Sequence, residues 1–177
     1  MRRCERPDMS LRILEQDIPG ITERVRSLDS SRRHELAQAA ARLAVRGAPL
    51  DDDRLVRALA AFGSSQVDPA ITGHLQVLMD KLDDEAAKLQ LELDAYGNAP
   101  EHQPALNADY VRKSTQARAV EAVIAALDPR VQAVDDALYE ANAALDHSPA
   151  VIWALVEAVT DGVNDPVEFA AQQMTRR

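Results

Sequence analysis

Four dipeptides, Asp68-Pro69, Asp128-Pro129, Ser148-Pro149 and Asp165-Pro166, constrain this chain more than any other feature. Each pairs a short side chain that can accept hydrogen bonds from orphan helix N–H groups with a proline whose fixed φ suits the first helical position. Between them run alanine- and leucine-rich stretches with almost no β-branched alternation, so the pattern predicts helix after helix. The expected fold is all-α: a single bundle of six to eight helices around one long central helix, with an irregular HEAT-like helical stack as the alternative.

Residues 1–9 read as a disordered tail and 10–177 as one helical domain. A first helix is expected from Ser10 towards Leu28, broken or kinked at Pro19-Gly20. Asp29, Ser30 and Ser31 offer caps for a second, which Gly47 would stop at the C′ position. Asp51 or Asp52 caps a third, ending near Gly63. Asp68-Pro69 opens the longest, which reaches Tyr96 and stops at Gly97. In it Ile71, Leu75, Leu78, Leu82, Ala86, Leu89, Leu93 and Tyr96 recur at spacings of three or four and form one apolar stripe. The loop 97–106 joins this half to a second, with helices expected over 107–127, 129–146, 149–160 and 166–174.

Aromatics make up only 3% of the residues against 46% hydrophobic, so the core must be built from Ala, Leu, Val and Ile. The net charge is −9 and unevenly spread. Residues 1–57 hold 12 Arg and 10 Asp or Glu, whereas 58–177 hold 8 basic and 19 acidic residues. An acidic body repels nucleic acid and anionic lipid and attracts basic partners. Cys4 is the single cysteine, which excludes an internal disulfide and fits a reducing, cytoplasmic setting. The apolar stretches around 122–127 and 150–156 are far too short to span a membrane.

The acidic cluster Asp80, Asp83, Asp84, Glu85 raises the question of Mg²⁺, since carboxylates grouped at helical spacing hold hard cations. Measured from the apolar stripe, however, Asp80, Asp83, Asp84 and Asp94 project from the opposite face. Asp136 and Glu140 likewise lie opposite the apolar positions of their own helix. These six are therefore read as outward, partner-binding carboxylates, with no metal, cofactor or catalytic residue assigned. His34, His74, His102 and His147 form no i,i+4 pair, and no glycine-rich phosphate loop exists. Arg24, Arg26, Arg32, Arg33, Arg42 and Arg46 make a basic patch, but acidic residues interleave it and no aromatics accompany it for base stacking.

The rhythm Arg112-Lys113, Ala117-Arg118-Ala119, Ala126-Leu127-Asp128, Leu138-Tyr139-Glu140-Ala141 and Ala143-Ala144-Leu145-Asp146 resembles a group of uncharacterised all-helical bacterial proteins, over about residues 109–146. Some of these look like small acidic immunity partners of basic toxins. The resemblance carries no activity with it. The functional expectation is a non-enzymatic acidic module that binds a basic protein, as an inhibitor or immunity-type partner. Two alternatives stand beside it. One is a metal-dependent helical enzyme acting on a diphosphate. The other is a self-associating structural protein, a homodimer using the outward Leu91.

Overall fold

The computed structural model describes residues 9–64, 68–95, 103–130 and 132–175. The expectations for the tail up to Asp8 (Cys4 included), for the stop at Tyr96-Gly97, for His102 and for Val131 lie outside these. Among the described residues the chain is all-α, with nine helices and no strand. They are α1 (Met9–Asp17), α2 (Ile21–Arg26), α3 (Ser30–Gly47), α4 (Asp53–Ala60), α5 (Pro69–Ala95), α6 (Pro104–Leu127), α7 (Ala133–Ala144), α8 (Pro149–Thr160) and α9 (Pro166–Met174). Met9, assigned to the tail by sequence, is the first residue of α1.

The start signals resolve into two kinds. Asp68 and Asp165 cap as expected: their carboxylates accept from the N–H groups of Ala70 and Glu168, both at 2.9 Å. Asp29 and Asp52 do the same for α3 and α4, taking the N–H groups of Arg32 at 2.8 Å and Arg54 at 2.9 Å. Asp128 does not open a helix. Its carboxylate is taken by the backbone and guanidinium of Arg130, so Pro129-Arg130 form a turn and α7 begins only at Ala133. Ser148 Oγ points backwards and donates to the Leu145 carbonyl at 2.6 Å. Asp146 and His147 before it both have positive φ, 53° and 54°. Pro104, placed in the loop by sequence, instead occupies the first turn of α6, which starts three residues before the expected Asn107.

Pro19-Gly20 does break the first helical stretch in two. Gly20 has φ 89°, and the Glu15 carboxylate accepts from the N–H groups of Gly20 at 2.6 Å and Thr22 at 2.9 Å. Gly47 serves differently from the expected C′ stop. It is the last residue of α3, and a Cβ there would overlap the Leu145 side chain, so glycine permits the close approach of α3 to the end of α7.

The centre of the bundle is α3, α6 and α7, each packed extensively on the other two. Their facing surfaces are small: Ala37, Ala40, Ala41 and Ala44 on α3, Ala119, Ala122 and Ala126 on α6, Ala137 and Ala141 on α7 are all buried. Alanine faces let helix axes approach closely, which compensates for the scarcity of aromatics. The apolar stripe of α5 is the expected one, with Leu75, Leu78, Leu82, Ala86 and Leu93 buried and Ile71 and Leu89 half-buried. The long helix lies to one side, mainly against α6 and to a lesser extent α4, and the central position falls to α6. α1 packs on α7, α2 on α8, and α8 and α9 on α3, so elements distant in sequence meet around one core. No helix of the described residues is long and apolar enough to cross a membrane.

Candidate functional site

The six carboxylates singled out by sequence separate into two sets. Asp80, Asp84 and Asp94 are exposed on the outer face of α5, where Asp80 accepts from the Gln76 amide at 2.9 Å and Asp94 from the Gln90 amide at 2.7 Å. Asp136 is exposed on α7 and accepts from Ser10 Oγ at 2.7 Å, tying α1 to α7. Asp83 and Glu140 turn instead towards one guanidinium. Arg118 of α6 donates through Nη2 to Asp83 of α5, at 3.1 and 3.3 Å, and through Nη1 to Glu140 of α7 at 3.4 Å. Nη1 also reaches Glu121 at 2.7 Å. One side chain therefore joins three helices.

Glu140 is the clear correction. It was expected outward, yet its residue is only 8% exposed. The reason lies in α7, where Val134, Ala137, Leu138, Ala141 and Ala144 form the core stripe and Ala133, Glu140 and Asn142 extend the burial to either side of it. A helix covered on several sides keeps only a narrow solvent face, here that of Asp136, and a carboxylate at the edge of the buried arc, as Glu140 is, needs a partner. Arg118 supplies it, but shares its single charge among Asp83, Glu121 and Glu140. Burial pushes the Glu140 carboxyl up to about 7; repulsion from Glu121 and Asp136 adds to this, and Arg118 opposes it. Burial also works against the charge of Arg118, but Glu140, Glu121 and Asp83 together more than offset that and raise its pKa.

A second pair reinforces the same seam. Lys113 of α6 meets Glu85 of α5 at 2.7 Å, and Lys81 approaches the same carboxylate at 3.8 Å. The hydrogen bond from Lys113 holds Glu85 below the usual carboxylate range. The acidic cluster thus divides by direction around α5: Asp83 and Glu85 grip α6, while Asp80 and Asp84 face outward. Among the described residues, no group of three His, Cys, Asp or Glu is arranged to hold a metal ion.

The basic N-terminal residues do not form one patch. Arg24 pairs with Asp161 at 3.5 Å, Arg32 with Glu35 at 3.0 Å and Arg46 with Glu168 at 2.6 Å, each with an acid of its own or a neighbouring helix. Arg118 is the residue that sequence reasoning passed over. Its signal was present: a lone arginine inside Ala117-Arg118-Ala119, on a helix otherwise lined with small residues, marks a charge that must be paired indoors.

Comparison of the chain with protein-family models, with curated proteins and with solved structures finds no match.

Proposed function

We propose that the protein is a non-enzymatic binding module whose outer α5 face engages a basic partner, in the manner of an inhibitor or immunity-type protein of a reducing, cytoplasmic compartment. One observation carries the reading. The longest helix leaves a whole face open, and on it Val77 and Leu91, 62% and 69% exposed, stand among the carboxylates Asp80, Asp84 and Asp94. Apolar side chains ringed by acid fit a basic amphipathic surface, with the charges steering encounter and the apolar pair providing the anchor. Lys81 and Lys88 flank the same face, which keeps its excess of negative charge modest. A second copy of the chain is the competing occupant, since Leu91 would serve a homodimer equally.

The diphosphate-enzyme alternative needs inward carboxylates from facing helices. Asp83 and Glu140 do meet from α5 and α7, but on Arg118, which favours a structural tie. The test of the binding reading is reversal of Asp80, Asp84 and Asp94 to Lys, leaving Asp83 in place. Against a partner captured with the wild-type chain, surface plasmon resonance should show association slowed about tenfold or more at low salt, the gap closing as ionic strength rises. An unchanged association rate would remove this face from the interface. A wild-type chain that sediments as a dimer, and as a monomer after Leu91→Glu, would assign the face to self-association.

A further inference from the structure

At the C-terminal end of α6, two clefts share His34 and Pro129 in their linings. The wider, of about 400 Å³, runs between α3 and the α4–α5 turn, with Phe62, Ala61, Ala126 and Leu127 as its apolar lining and Gln38, Ser64 and Thr72 at its edges. Gly63, part of its lining, has φ 84° and nothing within 4 Å of where a Cβ would stand. The narrower, of about 230 Å³, is bounded by Ser30, Ser31, Arg33 and His34 on α3 and by the Asp128–Arg130 turn.

The chemistry of the two ends differs. In the narrow cleft Asp128 is already satisfied by the backbone and guanidinium of Arg130, so that pair adds no net charge. Arg33 is different. Its Nη2 donates to the Arg26 carbonyl at 2.6 Å, while its Nε is buried without an acceptor among the described residues. The Arg33 guanidinium lines the cleft and has no carboxylate partner among the described residues, so an incoming anion would meet an uncompensated cation. In the wide cleft the Phe62 ring carries the Arg42 guanidinium 5.2 Å from its centroid, which holds the ring in place as a wall. The volume of the wide cleft falls within the range of small-molecule sites, and its lining is shared about equally between apolar and polar groups.

We propose that this groove binds a small amphipathic anion, with a carboxylate head at Arg33, Ser30 and Ser31 and an apolar body lying along Phe62 and Leu127. The site is independent of the α5 face, and either assignment can fail without the other.

The probe is 2-naphthoate, with 2-naphthalenemethanol as a neutral analogue of the same body and acetate as a head without one. Titrations of the full chain are followed by ¹H–¹⁵N correlation spectra. Naphthoate should shift the amides of His34, Gln38, Gly63 and Thr72 saturably, and the neutral analogue and acetate should each bind at least tenfold more weakly. Arg33→Gln should weaken naphthoate by about tenfold. Should that variant fold poorly, Gln38→Trp, which fills the wide cleft, should abolish the shifts while leaving the rest of the spectrum in place. Equal binding of the neutral analogue, shifts scattered outside the groove, or no shift at millimolar naphthoate would each overturn the assignment.

Discussion

α5 and α7 both pack on α6 and both carry strings of carboxylates, yet they divide them differently between solvent and interior. α5 meets its neighbours along a single stripe, Leu75, Leu78, Leu82, Ala86 and Leu93, and leaves Asp80, Asp84 and Asp94 in solvent behind it. α7 contacts α1, α3, α6 and α8, so its burial wraps around and takes Glu140 with it. The same spacing rule leaves Asp80, Asp84 and Asp94 of α5 in solvent, whereas on α7 Asp136 stays outside and Glu140 is drawn into an internal ion cluster. What decides the fate of an off-stripe carboxylate is whether a neighbouring helix reaches its position: Asp83 of α5 and Glu140 of α7 both meet Arg118, while Asp84 and Asp136 stay in solvent.

The sharpest way to break this comparison is at the two faces of α5. Leu82 is in the buried stripe and Leu91 on the open face. Leu82→Ala should lower the free energy of unfolding by roughly 3 kcal/mol, within the 2–5 expected for a buried leucine, while Leu91→Ala should stay within about 0.5. Urea unfolding measures both. Comparable losses at the two positions would mean that the outer face is covered in solution and that α5 is not one-sided.

Glu140 supplies the next effect, through pH. Below about pH 4.5 its carboxyl is protonated in folded and unfolded chains alike. Between there and about pH 7 the folded chain keeps a proton that the unfolded chain releases, so stability falls as pH rises through that window. The groups facing it are Arg118, Glu121, Asp83 and Asp136, from α5, α6 and its own helix. Glu140→Gln, which keeps the shape and removes the titration, should flatten the dependence. The wild type should lose on the order of 2 kcal/mol relative to the variant between pH 4.5 and 8. Parallel pH profiles for the two proteins would show that Glu140 titrates normally and is solvated after all.

These two helices also mark how far the sequence could be read. The all-α architecture, the α5 stripe and the caps at Asp29, Asp68 and Asp165 follow from local rules, because each depends on residues within one turn of itself. Glu140 and Arg118 do not, being 22 positions apart and joined only by the packing of α7 on α6. The same is true of Asp128, whose capping capacity is diverted by an arginine two residues on. His34 is exposed and hydrogen-bonded to Gln38 one turn on, and nothing in its own helix shows that it shares a cleft with Phe62 and Leu127. Charge patterns were legible where a helix had one partner, and misleading where a third element intervened.

The smallest effect tests the comparison at its finest grain, on two adjacent aspartates of one helix. Asp83 faces Arg118 and Asp84 faces solvent, though the two are chemically identical and one residue apart. The Asp83 and Arg118 side chains are 42% and 32% exposed, so solvent screens the pair and it contributes no more than about 1 kcal/mol. Asp83→Asn should therefore cost about 0.5–1 kcal/mol, and Asp84→Asn should be neutral within about 0.3. A double-mutant cycle with Arg118→Gln isolates the term: coupling should appear for Asp83 and vanish for Asp84. Magnesium provides the cross-check. If Arg118 neutralises the inward carboxylates, added Mg²⁺ leaves the melting temperature where it was in all three proteins. A saturable rise in the wild type, lost in Asp83→Asn and kept in Asp84→Asn, would instead make Asp83 a metal ligand and turn the reading of this seam towards an enzyme.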